Sequence, residues 1–181
     1  RNNPFDAFLT RRGQIIDEMS DGAAIGVLNL RSRTQVAALW PHHDVHLLRG
    51  GMHAALESLL RRGDVDGLVA PAAAAEHLGL QSIVAEIFNP ELIMPSGGQG
   101  ILVVLGREED GEAVDLLAPL HCGNTEREME AEHAFLQRFA SDLELPVGVL
   151  ARCNGDRLRI AGVVGSSDAA AAAIHTREGA A

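Results

Sequence analysis

The sequence predicts an α/β protein with a parallel-rich sheet, followed by a small α+β domain at the C-terminal end. Short apolar runs alternate with helix-like segments over residues 23–88, which is the pattern of βαβ units with right-handed crossovers. Beyond residue 146 the pattern changes to two strand-like runs separated by Asn154 and Gly155, which predicts a β-hairpin. Hydrophobic residues make up 46% of the chain and aromatic residues 3%, so the core must be mainly aliphatic.

The first βα unit carries strong local signals. Residues 23–28 form a continuous apolar run typical of a buried strand. Asn29 is a suitable N-cap for a helix over residues 30–39, which Pro41 brings to an end. The same reasoning predicts further strands over residues 45–48, 65–70 and 82–88, and helices over residues 52–62 and 72–77.

A proline- and glycine-rich stretch over residues 89–100 separates the two parts of the chain. Because proline restricts φ and glycine permits positive φ, this stretch predicts a rigid crossing between two packed units. A strand is predicted directly after it, over residues 101–105. At the N-terminal end, residues 1–10 lead into a short strand and residues 15–19 form one helical turn.

Two helices precede the hairpin. The first is predicted over residues 111–120, and the second begins at Asn124 and Thr125 and continues to about Phe139. Thr125 and Glu128 have the spacing of a capping box.

The hairpin is predicted from strands over residues 147–152 and 158–164. Residues 168–173 form either a further strand or a frayed tail. A domain boundary is expected near residues 121–124, between the α/β part and the α+β part.

Charge and cysteine content exclude several classes of protein. A net charge of −10 and a pI near 5.2 argue against a nucleic-acid partner, although a local arginine cluster can still bind a small anion. Cys122 and Cys153 have no metal-type spacing and are interpreted as reduced thiols of a cytoplasmic protein. No apolar run approaches the roughly 20 residues of a membrane span, and no signal peptide is apparent.

Other site-like motifs are weak. The side chains of His42, His43, Asp44 and His46 lack a fourth ligand at suitable spacing, so no metal site is predicted. The run Gly-Gly-Gln-Gly over residues 97–100 is not a phosphate-binding loop, because no Lys-Ser/Thr follows it.

A series of sequence blocks in fixed order resembles the hydroxymethylbilane synthase family, also called porphobilinogen deaminase. The similarity covers essentially the whole chain. The blocks lie at residues 3–8 (NPFDAF), 25–31 (IGVLNLR), 48–50 (LRG), 63–73 (GDVDGLVAPAA), 77–80 (HLGL), 94–100 (MPSGGQG), 132–136 (EHAFL), 145–148 (LPVG) and 163–168 (VVGSSD).

The resemblance implies a protein with two lobes like those of a type II periplasmic binding protein and a third domain. Domain 2 would comprise residues 6–95, and residues 1–5 and 96–121 would belong to domain 1 and the crossings. Residues 122–181 would form domain 3. By this comparison, most of domain 1 would precede Arg1 and the closing part of domain 3 would follow Ala181. The complete protein is expected to be a monomer.

The resemblance further implies a covalent dipyrromethane cofactor on a cysteine, onto which porphobilinogen is condensed to make the linear tetrapyrrole of haem synthesis. Leu143 stands at the position of that cysteine, so covalent attachment is not expected. Cys122 or Cys153 could replace it only if the loop were rebuilt. The family's catalytic aspartate would lie upstream of Arg1, so no catalytic residue is assigned.

The cofactor-binding positions implied by the resemblance are Asn29, Arg31, Arg49, Gly50 and the substituted Leu143. Arginine suits this role because its guanidinium pairs bidentately with the acetate and propionate groups of pyrroles. The alternative is that Arg31 and Arg49 are surface arginines in salt bridges. Other family arginines are replaced, by Ser32 (with Arg33 as a substitute one position further on), Ala55, His77 and Ile83.

These substitutions leave alternatives open. The chain is either a divergent family member with impaired deaminase activity that binds a small anionic or pyrrolic ligand, or a repurposed scaffold that binds a protein partner or does other chemistry. The remaining alternative is an active synthase that holds its cofactor non-covalently or through Cys153.

Overall fold

A computed structural model describes residues 1–139, 145–166 and 172–180, the last of these as backbone only. Residues 6–87 form a five-stranded mixed sheet with helices on both faces. Its strands are β1 (Asp6–Thr10), β2 (Ala24–Val27), β3 (Asp44–Leu47), β4 (Gly67–Pro71) and β5 (Val84–Ile87). Its helices are α1 (Leu30–Leu39), α2 (Gly51–Glu57) and α3 (Ala72–His77).

The sheet is parallel-rich, as predicted, but it contains one reversed strand. The strand order is β3-β2-β4-β1-β5, in which β2 is parallel to β3 and β4 while β1 is antiparallel to β4 and β5. The reversed strand β1 enters the sheet directly from residues 1–5 and lies between β4 and β5. Four of the five strands therefore point the same way.

The C-terminal part contains a second, three-stranded antiparallel sheet. It consists of β6 (Val147–Asn154), β7 (Arg157–Gly165) and β8 (Ala172–Ala180), in that order. Two helices precede it, α4 (Gly111–Leu117) and α5 (Gly123–Gln137). The hairpin prediction is confirmed, and β8 supplies a further strand; residues 168–171 of the predicted segment lie outside the described residues.

Apolar side chains fill both faces of the first sheet. One cluster includes Phe8, Ile25 and Trp40 beneath α1, and the other includes Leu59 and Leu68 beneath α2 and α3. Gly67 is required in the first cluster because an added Cβ would lie 2.2 Å from the ring of Phe8. These clusters make residues 6–93 a packed lobe.

Three predictions on local structure need correction. Residues 101–105 are not a strand, and Leu102 and Leu105 are 89% and 90% exposed. A strand needs a partner for its backbone groups, and within the described residues this segment has none. The helix predicted over residues 52–62 is α-helical only to Glu57 and continues as a π turn over Ser58–Arg62.

The predicted capping box is also wrong. Helix α5 begins one residue earlier, with Cys122 as its N-cap residue, and the Thr125 hydroxyl donates to Cys122 Sγ at 3.3 Å. The carboxylate of Glu128 instead accepts the Cys153 N–H at 3.0 Å. The Glu128 carboxylate, which the local spacing predicts at the end of α5, thus makes a tertiary contact with β6 instead.

Candidate functional site

Two loops that contain predicted binding residues lie at one edge of the first sheet. Asn29 follows β2 and Arg49 follows β3, and the carboxyl ends of neighbouring parallel strands lie side by side. Such an edge is where ligands bind in open α/β sheets. The structure therefore brings Asn29, Arg49 and Gly50 to the same end of the lobe.

Each of these residues has a distinct local role. The Asn29 side chain accepts the Ser32 N–H at 2.8 Å and caps α1. The N–H groups that precede Ser32 in this helix have no intrahelical acceptor, because they lie in its first turn. Gly50 precedes α2 with φ 92°, and a Cβ there would lie 2.8 Å from that of Ala54. Arg49 is exposed, and among the described residues it has no hydrogen-bond or ion-pair partner. These groups provide a cation and free backbone donors, which is the chemistry of an anion site.

Arg31 is placed differently from Arg49. Its guanidinium is buried, with Nη1 2.7 Å from Asp6 Oδ2 and 2.5 Å from the Met94 carbonyl oxygen. Nε donates to Ser96 Oγ at 3.0 Å, and Nη2 donates to Ser32 Oγ at 2.8 Å. Arg31 thus ties α1 to β1 and to residues 94–96, and its contact with a ligand stays a prediction.

The side-chain amides of Gln35 and Gln99 complete this polar network around residues 94–100. The Gln35 side chain accepts the Met94 N–H at 2.7 Å and donates to the Met94 carbonyl at 3.0 Å. The Gln99 amide nitrogen donates to the Pro4 carbonyl at 2.7 Å and to Asp6 Oδ1 at 3.0 Å. The backbone of Asn2 also pairs with that of Gly100, at 2.7 Å. Residues 2–4 and 94–100 are therefore bonded to each other and to the lobe.

A second buried acid connects the crossing to the C-terminal part. Glu132 of α5 is 1% exposed and accepts the N–H groups of Gly98 and Ala151, each at 2.7 Å. Its carboxylate also forms a bidentate pair with the Arg1 guanidinium, at 2.6 and 3.1 Å. Glu132 lies in one of the sequence blocks of the family, but the sequence does not indicate its role. The sequence signal that could have indicated its burial is the position of an acidic residue on the apolar face of a predicted helix.

The described part of the chain contains no group of three or more His, Cys, Asp or Glu side chains that could hold a metal ion. His43 is buried, and its Nε2 lies 3.3 Å from the Ile16 carbonyl oxygen. His46 lies beside Asp44 at 3.1 Å. Among the described helices, the longest has 15 residues, and none is long and apolar enough to cross a membrane.

Comparison with known proteins assigns the chain to a family. The family model described as porphobilinogen deaminase, dipyromethane cofactor binding domain, matches residues 1–115. The chain belongs to the porphobilinogen deaminase family. The model that matches is the part of the family that binds the dipyrromethane cofactor.

Porphobilinogen deaminases from several bacteria are similar to this chain. That of Roseiflexus sp. (strain RS-1) is 36% identical over 168 residues, which is 93% of this chain and 55% of the relative. That of Pelotomaculum thermopropionicum is 32% identical over 170 residues, 93% of this chain and 54% of the relative. That of Desulforamulus reducens is 30% identical over 168 residues. The chain spans about half the length of these curated relatives.

The predicted position of the family's cofactor cysteine, Leu143, lies outside the described residues. Pro146, the residue before β6, anchors the chain on the C-terminal side of this position. The Pro146 carbonyl accepts the Gly165 N–H at 2.9 Å, and the Thr34 hydroxyl of α1 donates to the Ser166 carbonyl at 3.5 Å. In this porphobilinogen deaminase family member, the start of β6 therefore lies near α1.

Neither cysteine lies near this anchor. Cys122 precedes α5, whose 15 residues rise about 22 Å before the loop begins. Cys153 lies six residues after Val147 along β6, a distance of roughly 20 Å. Cys122 is exposed, and the hydrogen bond from the Thr125 hydroxyl lowers the pKa of its thiol. The residues present fit carboxylate binding, but Leu143 has no nucleophilic atom for a covalent cofactor.

Proposed function

We propose that this chain is a tetrapyrrole-pathway member of the porphobilinogen deaminase family that binds a small anionic pyrrole reversibly and lacks a covalently held dipyrromethane. The observation that carries the proposal is the meeting of Asn29 and Arg49 at the carboxyl edge of the sheet. The reactive thiol of the family is replaced by Leu143, so the binding groups persist without the group that anchors the cofactor.

The edge suits the carboxylates of a pyrrole. The free N–H groups of the first turn of α1 and the positive end of its dipole favour a negative charge, and Arg49 adds a guanidinium without a partner among the described residues. Arg31 would act chiefly by holding α1 against residues 94–96, so that the helix end keeps its position relative to the crossing.

The packing of the substituted positions supports impaired condensation. Ala55 is fully buried in the cluster beneath α2, and Ile83 packs against the same cluster. An arginine at position 55 would place an unpaired charge in an apolar core, which is strongly unfavourable. The packing around position 55 therefore does not suit the arginine of the family.

We also propose that residues 6–95 form a binding-protein-like lobe of type II. This rests on β1, which arrives from one crossing and is inserted in reverse between β4 and β5, while the second crossing leaves at residues 94–100. Two crossings bonded to each other suit a lobe that moves as a unit against a second one.

Intact-protein mass spectrometry of the protein, before and after incubation with porphobilinogen, tests the chemistry. The expected result is a mass equal to that of the polypeptide in both samples. A stable adduct would contradict the proposal and favour an active synthase, and peptide mapping would then show whether Cys153 or Cys122 holds the group. A porphobilinogen deaminase from one of the relatives serves as the positive control.

Calorimetric titration with porphobilinogen tests the binding separately. We expect measurable affinity that falls about tenfold in Arg49→Gln, because one charge-assisted pair is lost. Arg61→Gln, an exposed arginine on the π turn that follows α2, is the matched control and should leave the affinity unchanged. Equal affinity in the parent protein and Arg49→Gln would overturn the assignment of this edge.

A further inference from the structure

A cavity of about 540 Å³ lies where the first lobe meets the three-stranded sheet, and neither Asn29 nor Arg49 lines it. Its volume is within the range of about 300–1,000 Å³ that is typical of small-molecule pockets. Its lining residues are Phe5, Asn89, Pro90, Glu91, Met94, Leu150, Arg152, Arg159 and Ala161.

The cavity follows from the alternation of side chains in β6 and β7. Leu150 pairs with Ala161, and Arg152 pairs with Arg159, in the antiparallel register. These four residues alternate along their strands, so they share one face of the sheet. The opposite face receives α5, whose Phe135 ring occupies the space beside Gly162. The face with the two arginines therefore lies towards Phe5, Met94 and residues 89–91, and the cavity is between them.

The cavity has an apolar floor and a cationic rim. Met94 and Leu150 are buried in one cluster, and Phe5 packs against them. The Arg152 guanidinium carbon lies 5.7 Å from the centre of the Phe5 ring, and its nearest carboxylate oxygen, on Glu128, is at 3.7 Å. Beyond this long ion pair, the Arg152 guanidinium has no hydrogen-bond or ion-pair partner among the described residues, so it can bind a further carboxylate.

Arg159 supplies the second charge. It is exposed and has no ion pair among the described side chains; the backbone register places Glu178 of β8 opposite it. Glu91 is the acidic residue among those that line the cavity. A rim with two guanidinium groups is notable in a chain with net charge −10, because a local cation pair attracts an anion against the overall field.

The cavity is separate from the candidate site. Its arginines lie five residues after Val147 on β6 and six residues before Gly165 on β7, which is roughly 15–20 Å along the strands. Val147, which follows Leu143 in the sequence, begins β6 at the other end of the strand. Asn29, Arg49 and Gly50 are not among the residues that line the cavity, so its occupancy is tested separately from the proposed pyrrole site.

We propose that this cavity binds a small aromatic monocarboxylate, with its ring on the floor formed by Phe5, Met94 and Leu150 and its carboxylate between Arg152 and Arg159. A flat ring suits the floor because it continues the stacking that Arg152 makes with Phe5. A single carboxylate matches the two adjacent guanidinium groups.

Titration with naphthalene-2-carboxylate, followed by ligand-observed NMR and calorimetry, tests the proposal. The neutral naphthalene-2-carboxamide has the same ring and should bind at least about tenfold more weakly. Arg159→Gln should weaken carboxylate binding by a similar factor, while Arg61→Gln, an exposed arginine elsewhere, should not. Thermal melting of each variant verifies that it is folded.

Ala161→Phe distinguishes the cavity from other apolar surfaces, because it fills the floor and leaves both arginines in place. Loss of carboxylate binding in this variant, together with the Arg159→Gln effect, supports the site. Unchanged binding in Ala161→Phe, equal binding of the carboxamide, an equal loss in Arg61→Gln, or no binding of the carboxylate at millimolar concentration would each overturn it.

Discussion

The guanidinium of Arg31 and the carboxylate of Asp6 form a buried ion pair, with 2.7 Å between Nη1 and Oδ2 and exposures of 4% and 1%. The two residues lie on α1 and at the start of β1, and the same guanidinium reaches Met94 and Ser96. A cation predicted from the sequence to bind a ligand thus holds the helix, the sheet and the crossing together.

Asp6→Asn should destabilise the protein by about 3–5 kcal/mol, because it leaves the buried Arg31 charge without its partner. Urea unfolding followed by circular dichroism measures the change. Asp44→Asn removes the carboxylate of an exposed pair with His46 and should cost less than about 1 kcal/mol. Similar losses in the two variants would show that the buried pair has no special role.

Gly100→Ala should cost more than Gly79→Ala, although both glycines have positive φ, 75° and 69°. A Cβ at position 100 would lie 2.7 Å from the Asn3 carbonyl oxygen, whereas a Cβ at position 79 meets nothing within 4 Å. We expect about 1–2 kcal/mol of backbone strain in each, with a further loss only at position 100. Equal unfolding midpoints would refute the close approach of the two crossing segments.

Glu132→Ala should destabilise the junction between α5, β6 and the crossing by about 2–5 kcal/mol, because the buried Ala151 N–H and the partly buried Gly98 N–H lose their acceptor. The exposed Glu130 on the same helix is the control, and Glu130→Ala should change stability by less than about 0.5 kcal/mol. Amide hydrogen exchange should accelerate at Gly98 and Ala151 in Glu132→Ala. Unchanged exchange at these amides would contradict the role of the carboxylate.

Cys122 should react with iodoacetamide faster than Cys153 at neutral pH. The Thr125 hydroxyl lowers the pKa of the Cys122 thiol, so a larger fraction is thiolate at any pH below the ordinary thiol pKa. Thr125→Val should move the rate–pH profile of Cys122 to higher pH and leave that of Cys153 unchanged. An unaltered profile would mean that this hydrogen bond does not control the thiol.

Local signals were sufficient for the elements that depend on neighbouring residues. Helix α1 has its predicted limits because Asn29 caps its first turn and a proline follows its end. The hairpin of β6 and β7 also follows from the sequence, because Gly155 permits the positive φ of 61° in its turn. The limits of both elements are determined by a few adjacent residues.

Contacts distant in sequence account for the errors. Residues 101–105 have a strand-like composition, but β-propensity does not supply a partner strand. The spacing of Thr125 and Glu128 suits a capping box, yet the Glu128 carboxylate binds the N–H of Cys153. In each case the outcome was decided by which groups lie nearby in space.

By itself, the sequence determined the alternation of strands and helices, the limits of α1, the hairpin and the family, because these depend on local pattern and on the order of motifs. The tertiary structure alone decided the reversed insertion of β1, the burial of Arg31 against Asp6, the acceptor role of Glu132 and the cavity beside Arg152. The reason is that burial and pairing of charged groups depend on chain segments far apart in sequence, whose approach no local pattern encodes.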